Sequence, residues 1–337
     1  MIIQRSSNRI SIAAPAKINL FLELLAKRAD GFHELQTVMS SVNLFDLLEF
    51  EQSDDDRISL RQVGLCGDAA PVEGMPTDES NLIHRALDLV RRQGKPGVAP
   101  CRMKAGMKVS VFKRIPSQAG MGGASSDAAA ALIAANELWD LGLGSSQLNE
   151  LAGQLGSDVP FFLSGGLALC TGRGEQVEKL NYRGRVPLVI AKPPEGIPTA
   201  EIYSRCQIPA QPKRVKDLLG GFNSRDLTCI GKTMFNRLEQ FASGISEWIE
   251  RLTAEFQRTD CVGHQLTGSG SCYFGVFPTV RSARRGANRL RARLPDVRFY
   301  CCHTLNSANL SQPTYPSQTL TAGNRLPTVY WDKGDNP

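Results

Sequence analysis

Lys17 with Asn19, Asp158, and the small-residue run from Pro116 to Asp127 are the parts of this 337-residue chain whose types and spacing could do chemistry. The run reads Pro116-Ser117-Gln118-Ala119-Gly120-Met121-Gly122-Gly123-Ala124-Ser125-Ser126-Asp127. It follows an alternating segment, Met107 to Phe112, and opens an alanine-rich stretch to Leu141 with the composition of a strong helix. Strand, glycine-rich loop and helix in that order suit a polyphosphate. Small residues let backbone N–H groups approach the oxygens, and the start of the helix adds partial positive charge. Ser125 and Ser126 are good helix caps, and Asp127 is expected in the first turn. No Gly-Lys-Ser/Thr follows, so the loop is not a Walker A motif, and it is not G-x-G-x-x-G. A glycine-punctuated turn before a helix is the other reading.

Asp158 stands just past Leu155-Gly156 and ahead of Val159-Pro160-Phe161-Phe162, either as a general base or as the cap of a short turn. Alternation from Ile18 puts Ile18, Leu20, Leu22 and Leu24 on one strand face. Lys17, Asn19, Phe21 and Glu23 then share the other, with the ammonium and the amide adjacent, as a site or as a solvated face. Phe32 and His33 follow the Asp30-Gly31 turn and offer a ring face and an imidazole, or simply a loop. The arginines at 281, 284, 285, 289, 291 and 293 invite nucleic acid, yet their apolar neighbours keep helical spacing, as on a solvated helix face.

The elements that must hold these residues can be placed coarsely. Order is expected from about Ile10, with strands from Ile18 and over Val38–Glu49, and with short strands and loops from Ser53 to Ser80. Helices are expected over Asn81–Arg92, over Ser146–Leu155 and over Val280–Leu294. The spacing of Phe235, Leu238, Phe241, Ile245, Ile249, Leu252 and Phe256 predicts one further amphipathic helix. Strands are expected at Leu188–Ala191, Cys272–Phe277 and Arg298–Thr304, with a glycine turn, Thr267-Gly268-Ser269-Gly270-Ser271, before the second of them. Composition turns back to strands after Gly165-Gly166, so the expected division is 1–165, 166–305 and a polar tail over 306–337.

With 42% hydrophobic and 21% charged residues the chain is of ordinary globular composition, and its net charge of +6 is modest. Nine cysteines without C-x-x-C spacing read as reduced thiols, and four histidines do not make a metal cluster, so no metal-ligating residues are assigned. No apolar run approaches the ~20 residues of a membrane span, and a cytoplasmic protein is expected.

The order of the motifs says more than any one of them. Pro15-Ala16-Lys17-Ile18-Asn19-Leu20, Arg28 to Leu35 (R-A-D-G-F-H-E-L), the loop at 116–127, Gly156-Ser157-Asp158-Val159-Pro160-Phe161-Phe162 and Thr267–Ser271 follow one another along the chain. That series resembles the GHMP kinase superfamily, over roughly residues 10–305. Within it, the first, second and fourth segments resemble the branch whose acceptor is a cytidine-diphosphate-linked methylerythritol. The resemblance implies an α/β (α+β) fold of two domains, the first like domain 2 of ribosomal protein S5 and the second ferredoxin-like, with the active site in the cleft between them. It implies ATP and Mg²⁺ as cofactors, with residues 116–126 holding the nucleotide. Asp158 becomes the base, Lys17 its partner at the acceptor hydroxyl, and Asn19, Phe32, His33 and Thr199 contacts to the substrate. It implies a small-molecule substrate and no nucleic acid or membrane partner, in a monomer or weak homodimer.

Two departures stand out. Family loops commonly carry more glycine where this one has Gln118, Ala119 and Ala124, and often tyrosine where Phe32 stands. Rivals are a homoserine- or mevalonate-type kinase, which would have no use for a Phe32-His33 pair, and an RNA-binding protein, which leaves the glycine loop unexplained.

Overall fold

The computed structural model describes residues 1–63, 75–93 and 106–306. The expected tail lies outside these residues except for Asn306, as does part of the polar stretch before Ser80.

The spine is one long strand. β1 (Ile2–Arg5) is followed by β2 (Arg9–Lys27) and β3 (His33–Ser53), paired antiparallel along most of their length. From Ile10 to Leu24 the sequence is almost continuously apolar, the pattern of a strand covered on both faces. Covered it is: Lys17 is 4% exposed and Asn19 2%, so the solvated-face reading of that pair fails. Bulges between Pro15 and Ala16, between Asn19 and Phe21, and between Leu24 and Ala26 interrupt the register. The middle bulge breaks the expected alternation: Leu20 and Phe21 enter one core together, whereas Leu22 and Leu24 enter another.

β4 (Ile58–Gln62), α1 (Leu82–Arg91), β5 (Gly106–Phe112), α2 (Gly123–Leu138), α3 (Ser145–Leu155), α4 (Val159–Ser164), β6 (Leu167–Thr171) and β7 (Gln176–Lys179) complete the first half. The sheet runs β1-β2-β3-β5-β4, with β6 on β3 and β7 on β6, so it continues past the Gly165-Gly166 pair. The four helices cover one of its faces. Ala128 to Ala131, Ala134 and Ala135 of α2 are buried against Ile12, Phe50, Val109 and Val111, their small side chains allowing close approach to the sheet.

The chain changes sheet between Lys179 and Pro187. β8 (Pro187–Lys192), α5 (Thr199–Arg205), α6 (Lys216–Ser224), α7 (Leu227–Thr233), β9 (Phe235–Asn236), α8 (Glu239–Ser243), α9 (Glu247–Phe256), β10 (Gly263–Leu266), β11 (Tyr273–Val276), α10 (Val280–Arg293) and β12 (Arg298–His303) follow. The second sheet has the order β10-β11-β8-β12. Period-two alternation assigns its faces: Leu188 and Ile190 pack with Ile18, Phe21 and Val38 of the first sheet, whereas Val189 and Ala191 pack with α9 and α10. β9 returns to pair in parallel with β2, and Thr304 bridges Val42, so the halves share backbone hydrogen bonds as well as a core.

Three further expectations need correction. Order begins at Ile2, because β1 pairs with β2. The helix expected from Phe235 is a two-residue strand and two helices. Asn236 turns the chain by accepting from the Leu238 N–H while donating to the carbonyls of Leu266 and Gly268, and Ser246, at φ −132°, separates α8 from α9. Finally, α2 is capped by Gly122 at φ 70°, not by a serine, which moves Asp127 beyond the first turn. Among the described residues no helix is long and apolar enough to cross a membrane.

Candidate active site

The loop is built by close backbone approach. Gly120 has φ 67°, and a Cβ there would lie 2.1 Å from the Thr267 carbonyl oxygen. Gly122 would place a Cβ 2.9 Å from the Phe162 ring and 3.1 Å from Lys17 Cγ. The Lys17 N–H donates to the Met121 carbonyl at 2.9 Å, and the Cys272 N–H to that of Ala119 at 3.3 Å, which clamps the loop between β2 and the turn after β10. Of the non-glycine positions noted above, only Gln118 is left-handed, at φ 49°; Ala119 and Ala124 are not.

Behind the loop, Lys113 stands 2.5 Å from Asp46 and 2.8 Å from Asp127, all three buried. The other Asp46 oxygen accepts the N–H groups of Arg114 and Ile115 at 2.6 and 2.9 Å, which fixes where β5 ends and the loop begins. Burial, then the neighbouring Asp46, pushes the Asp127 carboxyl up to about 7 against the pull of Lys113. Burial opposes the Lys113 charge, but Asp127 and Asp46 outweigh it and hold the ammonium above its usual range. Two carboxylates share one cation.

In front of the loop the two halves enclose a cleft of about 960 Å³. Lys17 and Asp158 lie at its floor, Nζ 3.4 Å from Oδ2, with the Lys17 side chain 5% exposed and that of Asp158 32%. Asp158 does occupy the cap position of α4, yet its side chain makes no capping hydrogen bond. The Lys17 ammonium also donates to Asn19 Oδ1 at 2.7 Å, and Asn19 Nδ2 donates to Thr37 Oγ1 at 2.9 Å. A fixed ammonium therefore sits beside a partly open carboxylate, placed where it can steady charge on an incoming oxygen. Beneath them the Cys170 thiol, pushed up to about 12 by burial and then by Asp158, is inert.

Phe32, His33 and Thr199 line the same cleft. Phe32 is 50% exposed; the imidazole of His33 stands 5.4 Å from the Tyr203 ring, and burial, then Lys27, lowers its pKa. Thr199 Oγ1 and Ser269 Oγ are 2.8 Å apart, joining α5 to the glycine turn. On the other side of the loop a second space of about 580 Å³ is lined by residues 116–125 together with Lys113 and Asp127. The two spaces meet at Gln118, Gly120, Gly122 and Ser125. Ser126 is buried under the loop and does not line either space.

Sequence reasoning missed Tyr203 and Arg173. Tyr203 is four residues beyond Thr199 on a helix, which brings both to one face. Arg173, between Gly172 and Gly174 in the β6–β7 turn, had a readable signal in that Gly-Arg-Gly triplet.

A nucleotide-sized loop site opening onto an acid–lysine pair in a two-sheet cleft defines a small-molecule kinase of the GHMP class. Residues 81–166 match the model of the GHMP kinases N terminal domain and residues 218–296 that of the GHMP kinases C terminal domain. A relative from Pelotomaculum thermopropionicum, named 4-diphosphocytidyl-2-C-methyl-D-erythritol kinase, is 39% identical over 286 residues, 84% of this chain and 94% of the relative. A solved structure of 4-(cytidine 5'-diphospho)-2C-methyl-D-erythritol kinase superposes with TM-score 0.70 at 30% identity, covering 87% of this chain and 98% of that one. Homoserine kinase from Cytophaga hutchinsonii shares the fold, with TM-score 0.69 at 18% identity over 91% of this chain and 97% of that one. The chain belongs to the 4-diphosphocytidyl-2-C-methyl-D-erythritol kinase family, and it is an ATP-dependent small-molecule kinase.

Proposed function

We infer that this kinase transfers the γ-phosphoryl group of ATP to the C2 hydroxyl of 4-diphosphocytidyl-2-C-methyl-D-erythritol, a step of the methylerythritol phosphate route to isoprenoid precursors. One observation carries the reaction: the Lys17 ammonium 3.4 Å from the Asp158 carboxylate, at the floor of a cleft that meets the loop space. The acceptor hydroxyl gives its proton to Asp158 while its oxygen attacks the γ-phosphorus, the bond from that phosphorus to the β–γ bridging oxygen breaks and ADP leaves, and Lys17 stabilises charge on the attacking oxygen. Phosphoryl transfer asks mostly for positioning and charge neutralisation, which the loop N–H groups and the start of α2 supply.

Among the described residues there is no cluster of three or more His, Cys, Asp or Glu to hold a metal. Mg²⁺ nevertheless fits, since it takes most of its ligands from phosphates and water. The chain offers it the Ser125 hydroxyl, which lines both spaces, and the Asp127 Oδ1, which is buried in the wall of the loop space without a hydrogen-bond partner. Bound there, Mg²⁺ would offset charge on the phosphate oxygens. Phe32, His33 and Tyr203 give the far end a flat aromatic face and a ring nitrogen, features suited to a pyrimidine base.

The test is ATP consumption with the cytidyl substrate, homoserine and mevalonate in parallel, for the native protein and Asp158→Asn. Turnover with the cytidyl substrate alone, lost in the variant, is expected. Turnover with homoserine or mevalonate in its place would overturn the substrate assignment.

A further inference from the structure

At the aromatic end of the cleft stands a cation that the scheme above does not use. Arg173 lines the cleft from the β6–β7 turn, its guanidinium carbon 4.8 Å from the centroid of the Phe32 ring. The turn is firmly held. The Leu35 N–H donates to the Gly172 carbonyl at 2.8 Å, the Arg173 N–H to Glu175 Oε2 at 2.6 Å, and the Gly174 N–H to the Thr171 carbonyl at 3.0 Å. A Cβ on Gly174 would lie 3.8 Å from Ser157, the residue before Asp158. The turn therefore reaches from the Phe32 ring to the neighbourhood of the base.

The guanidinium itself is loosely engaged. Its hydrogen bond is one long contact, 3.5 Å to the Gly153 carbonyl, and among the described residues no carboxylate lies within 4 Å of it. Asp30, the acid on the Phe32 side, is taken by Arg28 at 3.1 Å. Positive charge with no carboxylate in contact, though Asp30 lies near enough to feel it, held over an aromatic ring in a ligand cleft, asks for an anion from the ligand. A nucleotide-linked acceptor brings one to this place. If its base lies at the aromatic end and its hydroxyl at Asp158, the diphosphate joining them must pass between.

The geometry points to Arg173 as the residue that binds this diphosphate bridge, so that it sets the preference for a diphosphate-linked acceptor over a simple polyol. The assignment rests on the substrate reading above. Arg173 covers one face of the Phe32 ring, and Phe32, an exposed residue, keeps surface open to a base.

The experiment measures kcat and both KM values for the native protein, Arg173→Met, Arg173→Lys and Lys27→Met. Lys27 also lines the cleft and serves as the comparison cation. Cytidine and cytidine diphosphate are run as competitive inhibitors of each protein. A charge-assisted contact predicts a KM for the cytidyl substrate raised roughly tenfold to hundredfold in Arg173→Met. The KM for ATP and kcat should stay within about threefold, with partial recovery in the lysine variant. The native protein should prefer cytidine diphosphate to cytidine, and Arg173→Met should abolish that preference without weakening cytidine. An unchanged KM, a loss confined to kcat, or the same loss appearing in Lys27→Met instead would overturn the proposal. Failure of the native protein to use the cytidyl substrate at all is a separate result and defeats the underlying substrate reading.

Discussion

In the proposed transfer Lys17 and Asp158 act as a unit, and that has a measurable consequence. In the proposed step the base takes the acceptor's proton, and the buried ammonium 3.4 Å from it steadies charge on the same oxygen. Asp158→Asn should lower kcat by roughly a hundredfold to ten-thousandfold, the usual worth of a positioned base. Lys17→Met should cost about a hundredfold or more, since an electrostatic stabiliser is of that order. Steady-state kinetics on the double variant should show little further loss beyond the worse single variant, because groups in one step are strongly non-additive. A double loss equal to the product of the singles would mean that the two residues work separately. The residue types and motif order made this pair legible, but not its setting. Taken alone, Lys17 reads as a surface lysine; it is buried because β2 runs between helices on one side and a second sheet on the other, a long-range fact that local alternation does not carry.

At the scale of elements, the loop and the start of α2 show where sequence reading stops. The glycines, the helix and the strand before them were plain, but the cap was misassigned: serines are good caps, yet a left-handed Gly122 lets the chain turn against Phe162 and Lys17. Gly120→Ala should therefore push the loop off the turn at Thr267, with a loss of activity and about 2 kcal/mol or more of stability, because sterics and backbone strain add. Thermal melts should show the reverse pattern at the positions where family loops carry glycine. Ala124→Gly, inside a helix, should cost about 1 kcal/mol. Gln118→Gly should be nearly neutral, because relief of its left-handed strain offsets the added freedom of the unfolded chain. The buried triad behind the loop adds a pH dependence. Asp127 has a folded pKa of about 7, above its unfolded value of about 3.9, so the folded protein binds more protons between the two. Its contribution to stability is thus greatest below pH 4, falls through the interval and is fully unfavourable above pH 7. Asp127→Asn, which mimics the protonated form, should gain in Tm relative to the native protein as pH rises from 4 to 8. A constant difference across that range would show that Asp127 does not titrate there.

For the whole molecule the question is what makes two sheets one structure with a fixed cleft. Part of the answer is an ion pair, fully buried at Glu23 and partly buried at Arg237, that the sequence did not reveal because its members are 214 residues apart. Glu23 of β2, fully buried, takes both arms of the Arg237 guanidinium at 2.7 Å, and its carboxylate oxygens also accept the N–H groups of Leu24 and Lys213. Burial disfavours the Glu23 charge, but these partners outweigh it and lower its pKa. Arg237 adjoins β9, so the pair and the β2–β9 ladder fasten the second half to the spine at the strand that carries Lys17. Arg237→Met would leave that carboxylate buried beside two N–H groups and no cation, a change that costs about 3–5 kcal/mol when one partner of a buried pair is removed. In a chain of this size that lowers Tm by roughly 4 to 8 °C. A group whose pKa is depressed by folding stabilises above its unfolded pKa and ceases to do so as pH falls through the folded one. The gap in Tm between native protein and variant should therefore be full at neutral pH and close as the solution is taken below about pH 4. Because the halves share a core and backbone pairing, calorimetry of the native protein should show one transition, and the variant should shift it down whole. If the variant instead melted in two steps, the pair would be holding together halves that are otherwise independent, and the cleft would owe its shape to this one contact more than to the common core.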